Sequence, residues 1–184
     1  MDNPSPHPPS QPGEAGFSVL ELVVVLALMA TFVGLVSPSL AQLLDRRSQQ
    51  ASMHQLHSHL NHARFLAMSQ QTWVTACPSA SGHRCDRTTR WHDGWLVFID
   101  PHKSGQPGDP DAVIAIGEAL TTGVITSGAR QRIRFDPQGH AYGSNGTIEQ
   151  CPSKAPGPIQ KIVVSNPGRV RFVEPDQLAV CHRL

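Results

Sequence analysis

The sequence predicts an α+β protein, a long amino-terminal transmembrane helix packed on an antiparallel β-sheet head. Three observations carry that reading. Residues 17–36 are predominantly apolar: 22–29 read LVVVLALM, and Thr31 is the one polar residue between Ala30 and Val36. A helix needs about 20 such residues to cross a hydrocarbon core, and this run lacks the polar face of a surface helix. Next, Met53, Leu56, Leu60, Ala63 and Ala67 recur at spacings of three and four, which is one apolar stripe on a helix reaching Gln70. From Thr72 onward the chain breaks into short β-prone runs punctuated by glycine, proline and asparagine, the texture of an antiparallel sheet.

Taken in order, residues 1–16 hold Pro4, Pro6, Pro8, Pro9 and Pro12. Such a segment cannot form a helix and buries nothing, so it is expected to be disordered until removed. Residues 17–45 are expected to form the membrane helix, with Pro38 kinking it. Residues 46–184 form the head, in which the second half of the helix offers its stripe to the sheet. Strands are predicted at 73–77, 95–99, 113–116, 132–135, 161–164 and 169–173, with a last one near 178–181.

Net charge over the 184 residues is +1, so bulk charge implies no partner and any electrostatic binding must come from local clustering. The four cysteines, Cys77, Cys85, Cys151 and Cys181, all follow the apolar run and include no C-x-x-C pair or zinc spacing. A disulfide reading follows, and with it an oxidising compartment. Positive-inside bias alone would place Arg46 and Arg47 in the cytoplasm, because residues 1–16 carry Asp2 and Glu14 but no lysine or arginine. The cysteines point the other way, to a head in the oxidising compartment. Four cysteines allow three connectivities; proximity in sequence favours Cys77 with Cys85, leaving Cys151 with Cys181.

Catalysis is not expected, since G-x-S-x-G, P-loop and zinc motifs are all absent, and no cofactor is implied. His54, His57, His59 and His62 crowd one helix but do not converge on a helical wheel, so a solvated polar face is expected rather than a metal site. Asp100, Asp109 and Asp111 in FIDPHKSGQPGDPD lack the spacing of a calcium loop, and a solvated turn is expected.

Glu21 is the anomaly of the apolar run, because a carboxylate inside a spanning helix costs roughly 2.5–3.5 kcal/mol. The residues around it, Gly16-Phe17-Ser18-Val19-Leu20-Glu21, resemble the class III signal of type IV pilins and pseudopilins, G-F-[ST]-x-x-E. The resemblance implies that a prepilin peptidase cuts between Gly16 and Phe17 and methylates the new amino terminus. It also implies that Glu21 pairs with the Phe17 amine of a neighbouring subunit, offsetting its burial. The protein would then sit in the bacterial inner membrane by a single pass, with its head in the periplasm, before joining other pilin subunits in a filament.

Further on, Cys77-Pro78-Ser79, Cys85, Gly94-Trp95-Leu96-Val97-Phe98 and Ile133-Arg134-Phe135-Asp136-Pro137-Gln138-Gly139 resemble the FimT/GspH group of minor pilins and pseudopilins. Arg169 and Arg171 share one face of a predicted strand, with Val170 and Phe172 on the other. Arg130, Arg132 and Arg134 repeat the alternation around Ile133 and Phe135. Spacing alone allows either ordinary solvation or a phosphate-tracking stripe. Gly168-Arg169-Val170-Arg171 is similar to the G-R-x-R motif of FimT-type minor pilins, which implies binding of double-stranded DNA in natural transformation. Arg130, Arg132, Arg134 and Lys161 are added on electrostatic grounds. The alternative is a GspH-like pseudopilin of a type II secretion filament, which needs no arginine stripe.

Overall fold

The structure is a computed structural model that describes residues 18–120, 123–151 and 159–176; within these, the side chains of 34–39, 41–42, 46 and 174–176 lie outside the description. Helix α1 runs from Val19 to Ser69 and is followed by eight described strands: β1 (Val74–Pro78), β2 (Trp95–Ile99), β3 (Val113–Gly117), β4 (Val124–Thr126), β5 (Ile133–Phe135), β6 (Gly146–Cys151), β7 (Ile159–Val164) and β8 (Val170–Asp176). The chain divides into two compact units, one through Leu43 and one from Leu44.

In the first unit the described side chains of the apolar run, positions 19–33, are all exposed, Glu21 among them in the first turn of α1. Among the described residues no helix is long and apolar enough to cross a membrane. The predicted span was 17–36, so its last three side chains and Phe17 lie outside the described set. Gly16 and residues 1–15 lie outside it too, as does the strand predicted near 178–181. The helix assignment continues through Pro38.

The second unit is built on the stripe. Met53, Leu56, Leu60, Ala63 and Ala67 are fully buried, every position of the predicted face. The sheets that cover them are both antiparallel and four-stranded, with orders β3-β2-β1-β5 and β4-β6-β7-β8. Each contributes its inward residues to one common core: Val74, Trp95, Val97, Ile133 and Phe135 from the first, Ile125, Ile148, Ile162 and Val164 from the second. The helix closes in a Schellman arrangement, with Thr72 N donating to Ala67 O at 3.1 Å. Gln71 occupies the left-handed position at φ 50°, and its side-chain amide donates to Met68 O at 2.7 Å.

Strand β2 reads WLVFI with no alternation because both of its faces are covered. Trp95 and Val97 face the helix, while Leu96 and Phe98 form a second small core with Cys77 and Cys85. The Cys77–Cys85 disulfide is the expected one, and it clips the loop that covers this outer face. Cys151 is also disulfide-bonded; its predicted partner Cys181 lies outside the described residues. Strands β4 and β6 had no counterpart in the sequence reading. Strand β6 (GTIEQC) puts Gln150 at a core position, where its amide donates to Gln49 O of α1 at 2.8 Å, so a polar residue interrupts the expected alternation.

The histidines of α1 are a solvated face only in part: His54 and His62 are exposed, whereas His57 and His59 are half-buried. His54 and His57 pack on Phe172 of β8, with ring centroids 4.8 and 4.5 Å away. His59 Nδ1 accepts the indole N–H of buried Trp95 at 3.1 Å. Helical spacing places them correctly, but it cannot show which strand residue covers them. Burial, and then the neighbouring His62, hold the His59 pKa below its usual 6.5. A lowered folded value means that the neutral ring is favoured in the fold. The associated stability is present above about pH 6.5 and is lost as pH falls through the folded value. Urea unfolding at pH 8 and pH 5 should show that decline, and His59→Gln, which keeps an acceptor without the titration, should flatten it. Equal pH dependence in both proteins would rule His59 out as its source.

Candidate nucleic-acid interface

Two glycine turns form the scaffold. Strands β7 and β8 are joined by a hairpin in which Gly168 N donates to Ser165 O at 2.8 Å and Ser165 N to Arg169 O at 3.0 Å. Gly168 has φ +74°, the left-handed residue of a bulged three-residue connection. It is buried, and a Cβ there would run into the carbonyl of Gly139. The turn after β5 repeats this geometry: Gly139 N donates to Asp136 O at 2.8 Å, Asp136 N donates to His140 O at 2.9 Å, and Gly139 has φ +80°. The Asp136 carboxylate accepts from Gln138 N at 3.0 Å and His140 N at 2.8 Å, which fixes the turn.

The turns are tied together. Ala141 N donates to Asn166 O at 2.8 Å. From α1, Arg64 donates through Nε to Gly139 O at 3.0 Å and through Nη2 to Pro167 O at 3.2 Å. Glycine is therefore required at 168 by close backbone packing as well as by its torsion angle.

Beyond this anchored hairpin Val170 is buried and Phe172 half-buried, while Arg169 and Arg171 are exposed. Among the described residues neither arginine makes an ion pair. Val163 stands opposite Arg171 on the neighbouring strand, so no carboxylate faces it directly. Glu149 on β6 is engaged with Lys161 at 3.2 Å.

The remaining basic residues do not join this pair in a single ladder. Arg132 and Arg134 belong to the β5 region of the first sheet, whereas Arg171 is on β8 of the second. Arg134 reaches buried Asp100 at 3.6 Å and the Lys103 carbonyl at 3.3 Å. Arg130 donates to the carbonyls of Asn145 at 2.9 Å and Gly143 at 3.0 Å. Lys161 has its charge met by Glu149. Alternation placed these side chains outward correctly, but it could not reveal the acceptors that the loops bring to them.

Asp100 is likewise not part of a solvated turn. Its side chain is buried and accepts from Thr75 Oγ1 at 2.8 Å, Ser104 N at 2.7 Å, Ser104 Oγ at 2.9 Å and Gly105 N at 3.0 Å. The signal was an aspartate at a strand end followed by Ser-Gly, the chemistry of a side-chain-closed turn. Asp109 and Asp111 are exposed, as expected; Asp109 Oδ1 accepts from Asp111 N at 3.0 Å.

Residues 52–168 match the family model described as "Type II transport protein GspH". Among solved structures the chain is similar to the type IV minor pilin FimU of Pseudomonas aeruginosa strain PAO1 in two crystal forms. The P21 form has a TM-score of 0.58 at 17% identity and covers 72% of this chain and 95% of that one. The P65 form has a TM-score of 0.55 at 17% identity, with 70% and 97% covered. No curated protein matches the chain.

Proposed function

Because this chain belongs to the GspH family of type II transport proteins, we propose that it is a minor type IV pilin whose head binds double-stranded DNA and contributes to DNA uptake in natural transformation and to pilus assembly. The observation that carries this reading is the exposed pair Arg169 and Arg171, without an ion pair among the described residues, on a hairpin whose backbone is tied to α1 and to the turn after β5. The fixed backbone sets two guanidiniums at neighbouring outward positions, where each can give charge-assisted hydrogen bonds to a phosphate. So few contacts make binding weak, independent of base sequence and salt-sensitive. A filament carrying several such heads gains by effective concentration.

The apolar run supports the rest of the proposal. In a mature subunit beginning at Phe17, about 20 apolar residues enter the inner membrane and then the filament core, with Glu21 paired to a neighbour's amine and the head in the periplasm. Prepilin peptidase is the processing partner, and other pilin subunits are the structural ones. Mass spectrometry of assembled filaments should therefore find a chain starting at N-methylated Phe17, with Gly16 and everything before it removed. A filament subunit that retains residues 1–16 would overturn the pilin part of the reading.

A second reading, a minor pseudopilin of a type II secretion filament, is favoured by the family's own description. Titration separates the two. The full chain in detergent micelles, mixed with labelled duplex DNA at low salt, should bind and then release the duplex as salt is raised. Absence of binding at low salt would leave the secretion reading.

A further inference from the structure

The first sheet carries a second cationic feature that the hairpin does not use. A cavity of about 440 Å³ opens beside β5, bounded by Trp73, Lys103, Arg130, Arg132, Arg134 and Tyr142. Its lining contains four cationic side chains and no carboxylate. Behind the lining, Asp100 faces Arg134 at 3.6 Å, and among the described residues Lys103, Arg130 and Arg132 make no ion pair. Arg130 and Arg134 are held by backbone carbonyls, which orient the guanidiniums but do not neutralise them.

Arg132 differs from its neighbours. It is half-buried over Gly105, where a Cβ would collide with the guanidinium, and among the described residues that guanidinium has neither a hydrogen bond nor an ion pair. A partly desolvated guanidinium without an acceptor is stabilised by an anion that enters beside it. The aromatic residues set what that anion is attached to. Lys103 Nζ lies 4.0 Å from the centroid of Trp73 and occupies one face of the indole. Tyr142, the chain's one tyrosine, stands 66% exposed at the rim, with His140 5.0 Å from its ring centroid. The volume is that of a small-molecule site and exceeds the need of a bare phosphate group.

The geometry points to a binding site for single-stranded nucleic acid, with a backbone phosphate at Arg132 between Arg130 and Arg134 and the adjoining base stacked on Tyr142. A duplex keeps its bases stacked on one another and has none to offer Tyr142, so this site selects the single strand. It is separate from the Arg169 and Arg171 hairpin and does not require the hairpin to bind DNA.

The test uses the full chain in detergent micelles carrying Arg169→Gln and Arg171→Gln, so that hairpin binding does not contribute. A fluorescein-labelled oligothymidylate of about 12 nucleotides is followed by anisotropy at low salt. Arg132→Gln should weaken binding roughly tenfold or more. Tyr142→Ala should weaken it on the order of 5- to 100-fold, and Tyr142→Phe should restore it. Tyr142 is at the exposed rim, so its replacement tests the site without endangering the fold. Three results overturn the proposal: an affinity that neither Arg132→Gln nor Tyr142→Ala changes; inorganic phosphate competing as well as the oligonucleotide, which makes this a plain anion site; or free thymidylate competing as well, which makes it a mononucleotide site. Failure of the unmodified protein to bind duplex DNA would count against the hairpin and leave this result standing.

Discussion

Replacing Arg169 and Arg171 together by glutamine should abolish most duplex binding while leaving the head folded. Both side chains are exposed and make no ion pair among the described residues, so stability should move by less than about 0.5 kcal/mol. Glutamine keeps the length and polarity and removes only the charge. If each guanidinium neutralises one phosphate, the slope of log affinity against log salt should fall by about 0.9 per arginine, or roughly 1.8 for the pair. At low salt, affinity itself should drop on the order of tenfold or more, and by the same factor for unrelated duplexes, because phosphate contacts do not read bases. In cells the double variant should lose transformation while still displaying pili. Unchanged affinity and slope in a well-folded double variant would reduce the pair to a solvated strand face and favour the secretion-filament reading.

The largest stability effect should come from Asp100→Ala. The buried carboxylate accepts from Thr75, from both the amide and the hydroxyl of Ser104, and from Gly105, and it faces Arg134 at 3.6 Å. Alanine leaves the Thr75 hydroxyl and the Ser104 and Gly105 amides without this acceptor, while the Ser104 hydroxyl keeps the Gln106 carbonyl at 2.7 Å, and it leaves a partly buried guanidinium without its counter-charge, a loss of about 3–5 kcal/mol. Asp100→Asn retains one carbonyl oxygen but turns an amide N–H toward existing donors, so its loss should be intermediate. Urea unfolding measures both. A loss below about 1 kcal/mol for alanine would mean that water replaces the carboxylate freely and that the loop is not built on it.

How far the sequence led depended on the kind of interaction. The stripe from Met53 to Ala67 was legible because burial on a helix follows a fixed period, and all five positions are buried. Strands β1, β2, β3, β5, β7 and β8 were legible for a related reason: each has apolar residues facing a core. Strands β4 and β6 escaped, the first because Ile125 is the one apolar residue it gives the core, with Val124 exposed, and the second because Gln150 replaces an apolar side chain with a hydrogen bond to the helix. The outward direction of the arginines was legible from alternation, but their partners were not. Arg130 meets carbonyls 13 and 15 residues away, and Arg134 meets an aspartate from another strand's end. Such meetings are products of loop closure, which periodicity does not encode. The same limit hid Lys103, Trp73 and Tyr142, brought to one cavity from three loops.

Strand β8 has one hydrogen-bonded neighbour among the described residues, β7, and so ends its sheet. An outer strand leaves a row of amide and carbonyl groups able to template pairing with another chain. Arg169 and Arg171 stand where that row begins, and like charges on two approaching edges repel. Charge at that position disfavours edge-to-edge self-association of the head and needs no ligand to do so.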